Sequence, residues 1–243
     1  MLSFPDIVKE YYDGVEKLVG KITMILYGST VFGVQTSDLD LCFFTENIIS
    51  NNDFEELKDF TRKFHIINNL RLDEEVPYEN KLVYTYNFIE ETLINSPFPI
   101  CDGRYVIPRI KKNQAFLNSL EMRKRLLLNI LTVKHMVMGD DKEKIDIYVD
   151  RAWEVILKKV ISYAQKNNVS LDEILSFIYR DPFYGNEGEM YLGYKNNMSE
   201  KVTFIKKQVE FQLERLTKED KLVKTLSNKY IPNEGWLGNE NKY

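Results

Sequence analysis

The sequence predicts an α+β protein, in which an α/β-type N-terminal domain with a small mixed sheet precedes an all-helical C-terminal domain. Two short apolar runs, residues 22–26 and 41–44, are bounded by polar or turn residues, which is typical of buried strands. Segments with apolar residues at helical spacing lie on either side of this pair. From about residue 113 onward the pattern is helical, which confines the predicted sheet to the first part of the chain.

Each element of the first domain has its own signal in the sequence. In the first segment apolar residues recur every three or four positions and Gly20 ends the run, which predicts a helix over 5–19. The strands over 22–26 and 38–44 follow. The later predicted elements are a helix over 54–66 capped by Asn52 and Asp53, a strand over 70–76, a strand over 81–86, and a helix over 87–95 capped by Asn87.

The second half of the chain is predicted to be a bundle of helices. Residues 96–108 contain three prolines and a glycine, which is typical of a linker between halves. We therefore predict a first domain over 1–110, a helical domain over 111–230 and a flexible tail over 231–243. The predicted helices of the second domain are 122–138, 142–165, 170–179, 200–216 and 218–226.

Composition and charge narrow the possible partners and location. The 243 residues include 33 Lys and Arg against 37 Asp and Glu, a formal net charge of −4. Because proteins that bind a nucleic-acid backbone usually carry a basic excess, this balance favours a small-molecule partner over nucleic acid. No apolar run approaches the ~20 residues of a membrane helix, and no secretory signal is recognisable. Two cysteines, Cys42 and Cys101, give no disulfide framework, so a cytoplasmic location is expected.

The two first predicted strands bring together residues suited to phosphate and a metal ion. Gly28 allows a tight turn and the approach of a bulky anion, and Ser29 adds a hydroxyl donor. Residues 30–34 are predicted to form one helical turn with free N–H groups. Asp38 and Asp40 share one face of the second strand, where they repel each other unless a cation such as Mg²⁺ lies between them. The plainer interpretation is a strand–turn–strand with a solvated acidic pair.

This motif, Gly28-Ser29 followed after eight residues by Asp38-Leu39-Asp40, resembles the signature of the DNA polymerase β-like nucleotidyltransferase superfamily. The compact size is similar to the antibiotic-modifying and minimal members. The resemblance covers about the first hundred residues, and its specific part is the motif itself. It implies an NTP, usually ATP, with its phosphates on Gly28 and Ser29, and Mg²⁺ held by three carboxylates. It also implies a helical C-terminal domain that covers the active-site cleft and helps to choose the acceptor.

The family pattern requires a third carboxylate on a later strand, and two Mg²⁺ ions need more ligands than two aspartates offer. A strand over 70–76 would send its leucines to the core and Asp73 and Glu75 to the opposite face. We expect Asp73 to be the third metal ligand and Glu75 to accept the proton of the attacking hydroxyl. Glu74 takes that place if the strand carries a bulge. The alternative is an exposed acidic turn.

Cations for the triphosphate are less well defined by the sequence. The triplet Arg123-Lys124-Arg125 is one candidate, and Lys134 with His135 is another. A basic triplet at the beginning of a helix is more often simply solvated, and that interpretation stands beside the first. The sequence alone does not choose among these residues.

The reaction implied by the resemblance is transfer of an NMP, with AMP from ATP as the usual case. The acceptor would be a hydroxyl of a small molecule, such as an aminoglycoside- or lincosamide-like antibiotic in a resistance enzyme, and pyrophosphate would leave. One alternative is a toxin-type nucleotidyltransferase that modifies tRNA or protein, which the acidic composition disfavours. The other is a catalytically silent relative that serves as a binding subunit, which the complete set of carboxylates disfavours.

Overall fold

The computed structural model describes residues 4–32, 39–72, 78–95, 119–164, 168–179 and 198–237. The described part is mixed α+β, as predicted, and contains no helix long and apolar enough to cross a membrane. The chain divides into two compact units, and residues predicted to open the second domain group with the first unit. Unit 1 comprises Met1–Asn95 and Ala115–Asp146, and unit 2 comprises Ser96–Gln114 and Ile147–Tyr243.

Unit 1 is built on a four-stranded mixed sheet, in agreement with the predicted small mixed sheet. The strand order is β3-β2-β1-β4; β1 is antiparallel to both of its neighbours, and β3 is parallel to β2. The strands are β1 (Thr23–Tyr27), β2 (Asp40–Thr45), β3 (Val83–Thr85) and β4 (Met136–Met138). The helices are α1 (Phe4–Val19), α2 (Asn51–Ile67), α3 (Tyr78–Lys81), α4 (Tyr86–Ile94) and α5 (Leu120–Thr132), with a short 3-10 helix over Ser29–Phe32.

The central pair of strands is buried on both faces. Leu26 lies opposite Leu41, and both belong to a core cluster with residues of α1 and α2. On the other face Ile25 lies opposite Cys42, and neither is exposed. Both strands are therefore continuous apolar runs rather than alternating ones, as expected of strands covered on both faces.

Tyr11 joins α1 to α2 and to the sheet. Its hydroxyl lies 2.7 Å from the Thr61 hydroxyl, which itself donates to the Leu57 carbonyl at 2.7 Å, so the Tyr11 hydroxyl is the donor to Thr61. Its ring packs against Phe43 of β2 at 6.1 Å and Phe64 of α2 at 5.0 Å between centroids. Burial raises the pKa of Tyr11 well above its ordinary value, so it remains a neutral donor.

Two predicted elements of unit 1 differ in the structure. The helix predicted over 122–138 ends at Thr132, and Met136–Met138 form β4 instead. A continuous apolar run suits either state, and pairing with β1 decides it here. The strand predicted over 70–76 is not formed in residues 70–72, and residues 73–76 lie outside the described part.

Helix caps also differ from the prediction. Ser50 rather than Asn52 or Asp53 caps α2, and its hydroxyl accepts from the Asp53 N–H at 3.1 Å. Thr85 caps α4 in place of Asn87, so the cap lies two residues earlier than predicted. In both cases a hydroxyl just upstream reaches a free N–H of the first turn, which is the requirement for a cap.

The sequence predicted an all-helical second domain, and this prediction is wrong for the described part of unit 2. That part contains a three-stranded antiparallel sheet with the order β5-β7-β6. Its helices are α6 (Lys142–Tyr163, which begins in unit 1), α7 (Leu171–Ile178) and α8 (Met198–Lys218), and its strands are β5 (Val169–Ser170), β6 (Leu222–Lys224) and β7 (Lys229–Pro232).

The turn residues of unit 2 explain this correction. The helix predicted over 218–226 is interrupted because Asp220 adopts a φ of +54°, which ends α8. Asn228, with a φ of +55°, then makes the turn between β6 and β7. The predicted tail over 231–243 also begins inside β7, at Ile231. Ser170 and Glu173 form the predicted capping box at the beginning of α7.

The Tyr11 contact gives a test of the unit 1 core. Tyr11→Phe should lower the free energy of unfolding by about 0.5–1.5 kcal/mol, because it removes one buried hydrogen bond and keeps the ring packing. Tyr11→Ala should cost about 3–5 kcal/mol, because it also leaves a cavity. Chemical denaturation of both variants measures the two losses.

A double-mutant cycle with Thr61→Val isolates the hydrogen bond. The cycle should return a coupling close to the Tyr11→Phe loss. Unchanged stability in Tyr11→Phe would show that the hydroxyl pair contributes nothing to this junction.

Candidate functional site

The turn after β1 has the backbone geometry that only glycine adopts readily. Gly28 follows Tyr27, the last residue of β1, and has a φ of +77°. A short 3-10 helix over Ser29–Phe32 comes next and overlaps the helical turn predicted for residues 30–34. The chain therefore leaves the sheet sharply at Gly28, as the motif predicts.

Asp40 lies directly against this turn. It is the first residue of β2, pairs with Tyr27 and is half-buried. A Cβ atom placed on Gly28 would lie 1.9 Å from Asp40 Oδ2 and 2.7 Å from its Cγ, which is impossible without movement. Leu39 and Leu41 are buried in the core cluster, so the predicted alternation is confirmed for these residues. The structure thus brings together Gly28 and Asp40, one residue from each half of the motif.

The other predicted site residues lie outside the described part of the chain. These are Asp38, Asp73 and Glu75, together with Glu74 and the side chain of Ser29. Within the ranges that are described, no group of three His, Cys, Asp or Glu side chains could hold a metal ion. Asp40 alone of the predicted ligands can be examined, and its carboxylate is a hard oxygen donor of the kind that Mg²⁺ takes.

The basic triplet of α5 takes part in the packing of unit 1. Arg123 donates to the Val83 carbonyl at 2.7 Å and stacks on Phe88, with its guanidinium carbon 4.6 Å from the ring centroid. Burial lowers the pKa of Arg123 from its ordinary value. Lys124 is buried and ion-paired, and Arg125 is only 2% exposed. The interpretation of the triplet as simply solvated is therefore wrong.

Lys134 and His135 lie between α5 and β4, close to the end of β1. The Lys134 ammonium is 4.8 Å from the centroid of the Phe32 ring, at the end of the 3-10 helix. His135 Nδ1 lies 2.9 Å from the Val133 carbonyl oxygen, and burial lowers the pKa of His135, so the ring is neutral at pH 7. The sequence named both residues, but their place at the same end of the sheet as Gly28 follows from the pairing of β4 with β1, which was not predicted.

The approach of Asp40 to Gly28 can be tested by adding one methyl group. Gly28→Ala should lower the free energy of unfolding by more than the roughly 1–2 kcal/mol that an alanine pays for the left-handed conformation, because the Asp40 carboxylate must also move. Chemical denaturation measures the loss. Adding Asp40→Ala, which removes the two nearest atoms, should restore part of it.

Gly20 provides the matched control. Its φ of +81° is nearly that of Gly28, but nothing lies within 4 Å of a Cβ placed there. Gly20→Ala should therefore lower the free energy of unfolding by the conformational cost alone. Equal losses in Gly20→Ala and Gly28→Ala would contradict the close contact with Asp40.

Comparison with known proteins adds no assignment to this geometry. No family model, no curated protein and no solved structure matches the chain. The features of this chain that indicate a function are therefore the motif and the contact between Gly28 and Asp40.

Proposed function

We propose that this protein is a nucleotidyltransferase that moves a nucleoside monophosphate from an NTP to a hydroxyl group of a small-molecule acceptor. The observation that carries the proposal is the contact of the Asp40 carboxylate with the Gly28 turn. Nucleotidyl transfer needs a backbone that a polyphosphate can approach and a carboxylate close by. The end of β1 offers the sharp turn at Gly28 with the Asp40 carboxylate against it, in a residue pattern similar to that of the polymerase β-like superfamily.

The residues of the motif take separate roles in this proposal. Gly28 and Ser29 would bind the phosphates, because the positive φ of Gly28 turns the backbone out of β1 there and the serine hydroxyl can donate a hydrogen bond. Asp38, Asp40 and Asp73 would hold Mg²⁺, which when bound neutralises charge on the phosphates. Asp40 stands next to the turn, so a cation on its carboxylate would adjoin a phosphate lying on Gly28.

The chemical step is a substitution at the α-phosphate. The acceptor oxygen forms a bond to the α-phosphorus, the bond to the bridging oxygen of the β-phosphate breaks, and pyrophosphate leaves with that electron pair. Glu75 accepts the proton of the attacking hydroxyl. We take ATP as the donor on the strength of the resemblance, since no base-reading residue is identified.

A small-molecule acceptor is favoured by charge. The chain carries a formal net charge of −4, whereas proteins that bind a nucleic-acid backbone usually have a basic excess. An antibiotic of the aminoglycoside or lincosamide kind is the acceptor that the resemblance suggests. The assay that tests the proposal incubates the pure protein with each α-labelled NTP, Mg²⁺ and a panel of acceptors, with tRNA and protein included. The proposal would be contradicted if no combination of NTP and acceptor led to pyrophosphate release.

Asp40 gives the sharpest mutational test of the function. Asp40→Asn should reduce transfer to background, because it removes a charged ligand, while stability stays unchanged or rises as a repulsive carboxylate is lost. Pyrophosphate release and thermal unfolding measure the two effects. Asp13→Asn is the matched control, because Asp13 is a surface residue of α1 that pairs only with Lys9 among the described cations. Transfer at the wild-type rate in Asp40→Asn would exclude Asp40 from the site.

Asp73 and Glu75 are proposed for different roles, and their variants should fail differently. Asp73→Ala should raise the Mg²⁺ concentration that activity requires. Glu75→Gln should leave Mg²⁺ and NTP binding nearly unchanged and slow the chemical step by about 10²–10⁴, as is typical of the loss of a general base. The acidic limb of the pH–rate profile should also disappear.

The control for the second variant is Glu74→Gln. If this variant loses activity and Glu75→Gln does not, then Glu74 is the base. If neither glutamate matters, the assignment of a carboxylate base is wrong and the aspartates alone remain in the proposal.

A further inference from the structure

The position of Lys134 is set by two independent contacts of unit 1. In the antiparallel pairing of β4 with β1, Met136 lies opposite Leu26. Lys134 precedes Met136 by two residues and Gly28 follows Leu26 by two, so Lys134 lies at the same end of the β1–β4 pair as the Gly28 turn. Independently, the Lys134 ammonium lies over Phe32, 4.8 Å from the ring centroid, and Phe32 ends the 3-10 helix that follows Gly28.

Among the described residues, no carboxylate forms an ion pair with Lys134. Its side chain is half-buried, and among the described residues its ammonium contacts the Phe32 ring but forms no ion pair. Nearby lysines of unit 1 differ in this respect: Lys142 pairs with Asp146 at 2.7 Å and Lys144 with Glu46 at 2.8 Å. A contact with an aromatic face stabilises a cation by only about 0.5–2 kcal/mol, so a half-buried ammonium favours an anion beside it.

A phosphate bound at the Gly28 turn requires a positive charge beside it. A phosphate that lies on Gly28 must also come close to the Asp40 carboxylate, which reaches within 1.9 Å of the position of an added Cβ. Two anions at such a distance repel each other strongly unless cations offset them. A lysine supplies a compact charge that commonly binds phosphate.

Arg123 of α5 does not lie close enough to take this role. Arg123 binds the carbonyl of Val83 on β3, which is two strands away from β1. Val83 also lies opposite Phe43, three residues along β2 from Asp40. Each of these offsets amounts to roughly 10 Å, which leaves Lys134 as the nearer cation.

From these contacts we infer that Lys134 binds the polyphosphate of the nucleotide at the Gly28 turn. The ligand class is a di- or triphosphate. The ammonium contacts the phosphates rather than the base, because Lys134 offers a compact charge and no directional pattern of hydrogen bonds. The inference deepens the proposed function and rests on it for the identity of the nucleotide. The binding of a polyphosphate by Lys134 does not depend on transfer.

The test uses inorganic tripolyphosphate as the probe and calorimetric titration of the full-length protein in buffer with Mg²⁺. Lys134→Gln should weaken binding about ten- to a hundredfold, the effect of losing one hydrogen bond to a charged group. Lys134→Met, which keeps a long unbranched side chain without the charge, should weaken it similarly, and Lys134→Arg should restore part of it. Lys142→Gln is the control and should bind like the wild type.

A second measurement uses only the wild-type protein. Tripolyphosphate should slow acylation of Lys134 in the wild-type protein, read by mass spectrometry, and should leave acylation of Lys142 unchanged. Lack of protection at Lys134, or wild-type affinity in Lys134→Gln and Lys134→Met, would overturn the inference. So would a wild-type protein that does not bind tripolyphosphate.

The outcomes for the inference and for the proposed function are distinct. If tripolyphosphate binding depends on Lys134 but no NTP supports pyrophosphate release, the inference stands and the proposed transferase activity fails. If transfer occurs and the affinity for tripolyphosphate does not depend on Lys134, the proposed function stands and another cation holds the phosphates.

Discussion

The Asp40 carboxylate excludes any side chain from position 28, and the geometry of the candidate site depends on this exclusion. Gly28 has a positive φ and turns the chain out of β1 at the point where β2 begins with Asp40. A bare stretch of backbone and a carboxylate are thereby held side by side. This arrangement suits a ligand that combines anionic groups with a cation, because a cation on the Asp40 carboxylate would adjoin an anion at the Gly28 turn.

The core below the site fixes this arrangement. Leu26 lies opposite Leu41 and Met24 opposite Phe43, and all four are buried against α1 and α2. Slipping the register by one residue would turn the leucines toward the other face and carry Asp40 into the core, at the cost of burying a charge. The register of β1 and β2 is therefore strongly determined, and with it the contact between Gly28 and Asp40.

The elements of the fold whose signal lies within a few neighbouring residues could be predicted from the sequence. The apolar runs of β1 and β2, the alternation of Leu39 and Leu41 with the aspartates, and the turn at Gly28 could all be predicted from a few neighbouring residues. The strand Met136–Met138 could not, because its apolar sequence suits a helix equally well and its pairing partner is more than a hundred residues away. The position of Lys134 beside the site depends on that long-range pairing. The same limit explains the sheet of unit 2, where positive φ values at Asp220 and Asn228 override an apolar pattern.

A crystal structure of the protein with a non-hydrolysable ATP analogue and Mg²⁺ tests the central claim most directly. We expect the triphosphate to lie on Gly28, with a cation on the Asp40 carboxylate and the Lys134 ammonium within hydrogen-bond distance of a phosphate oxygen. A nucleotide bound away from the end of β1, or no nucleotide at saturating concentration, would contradict the account.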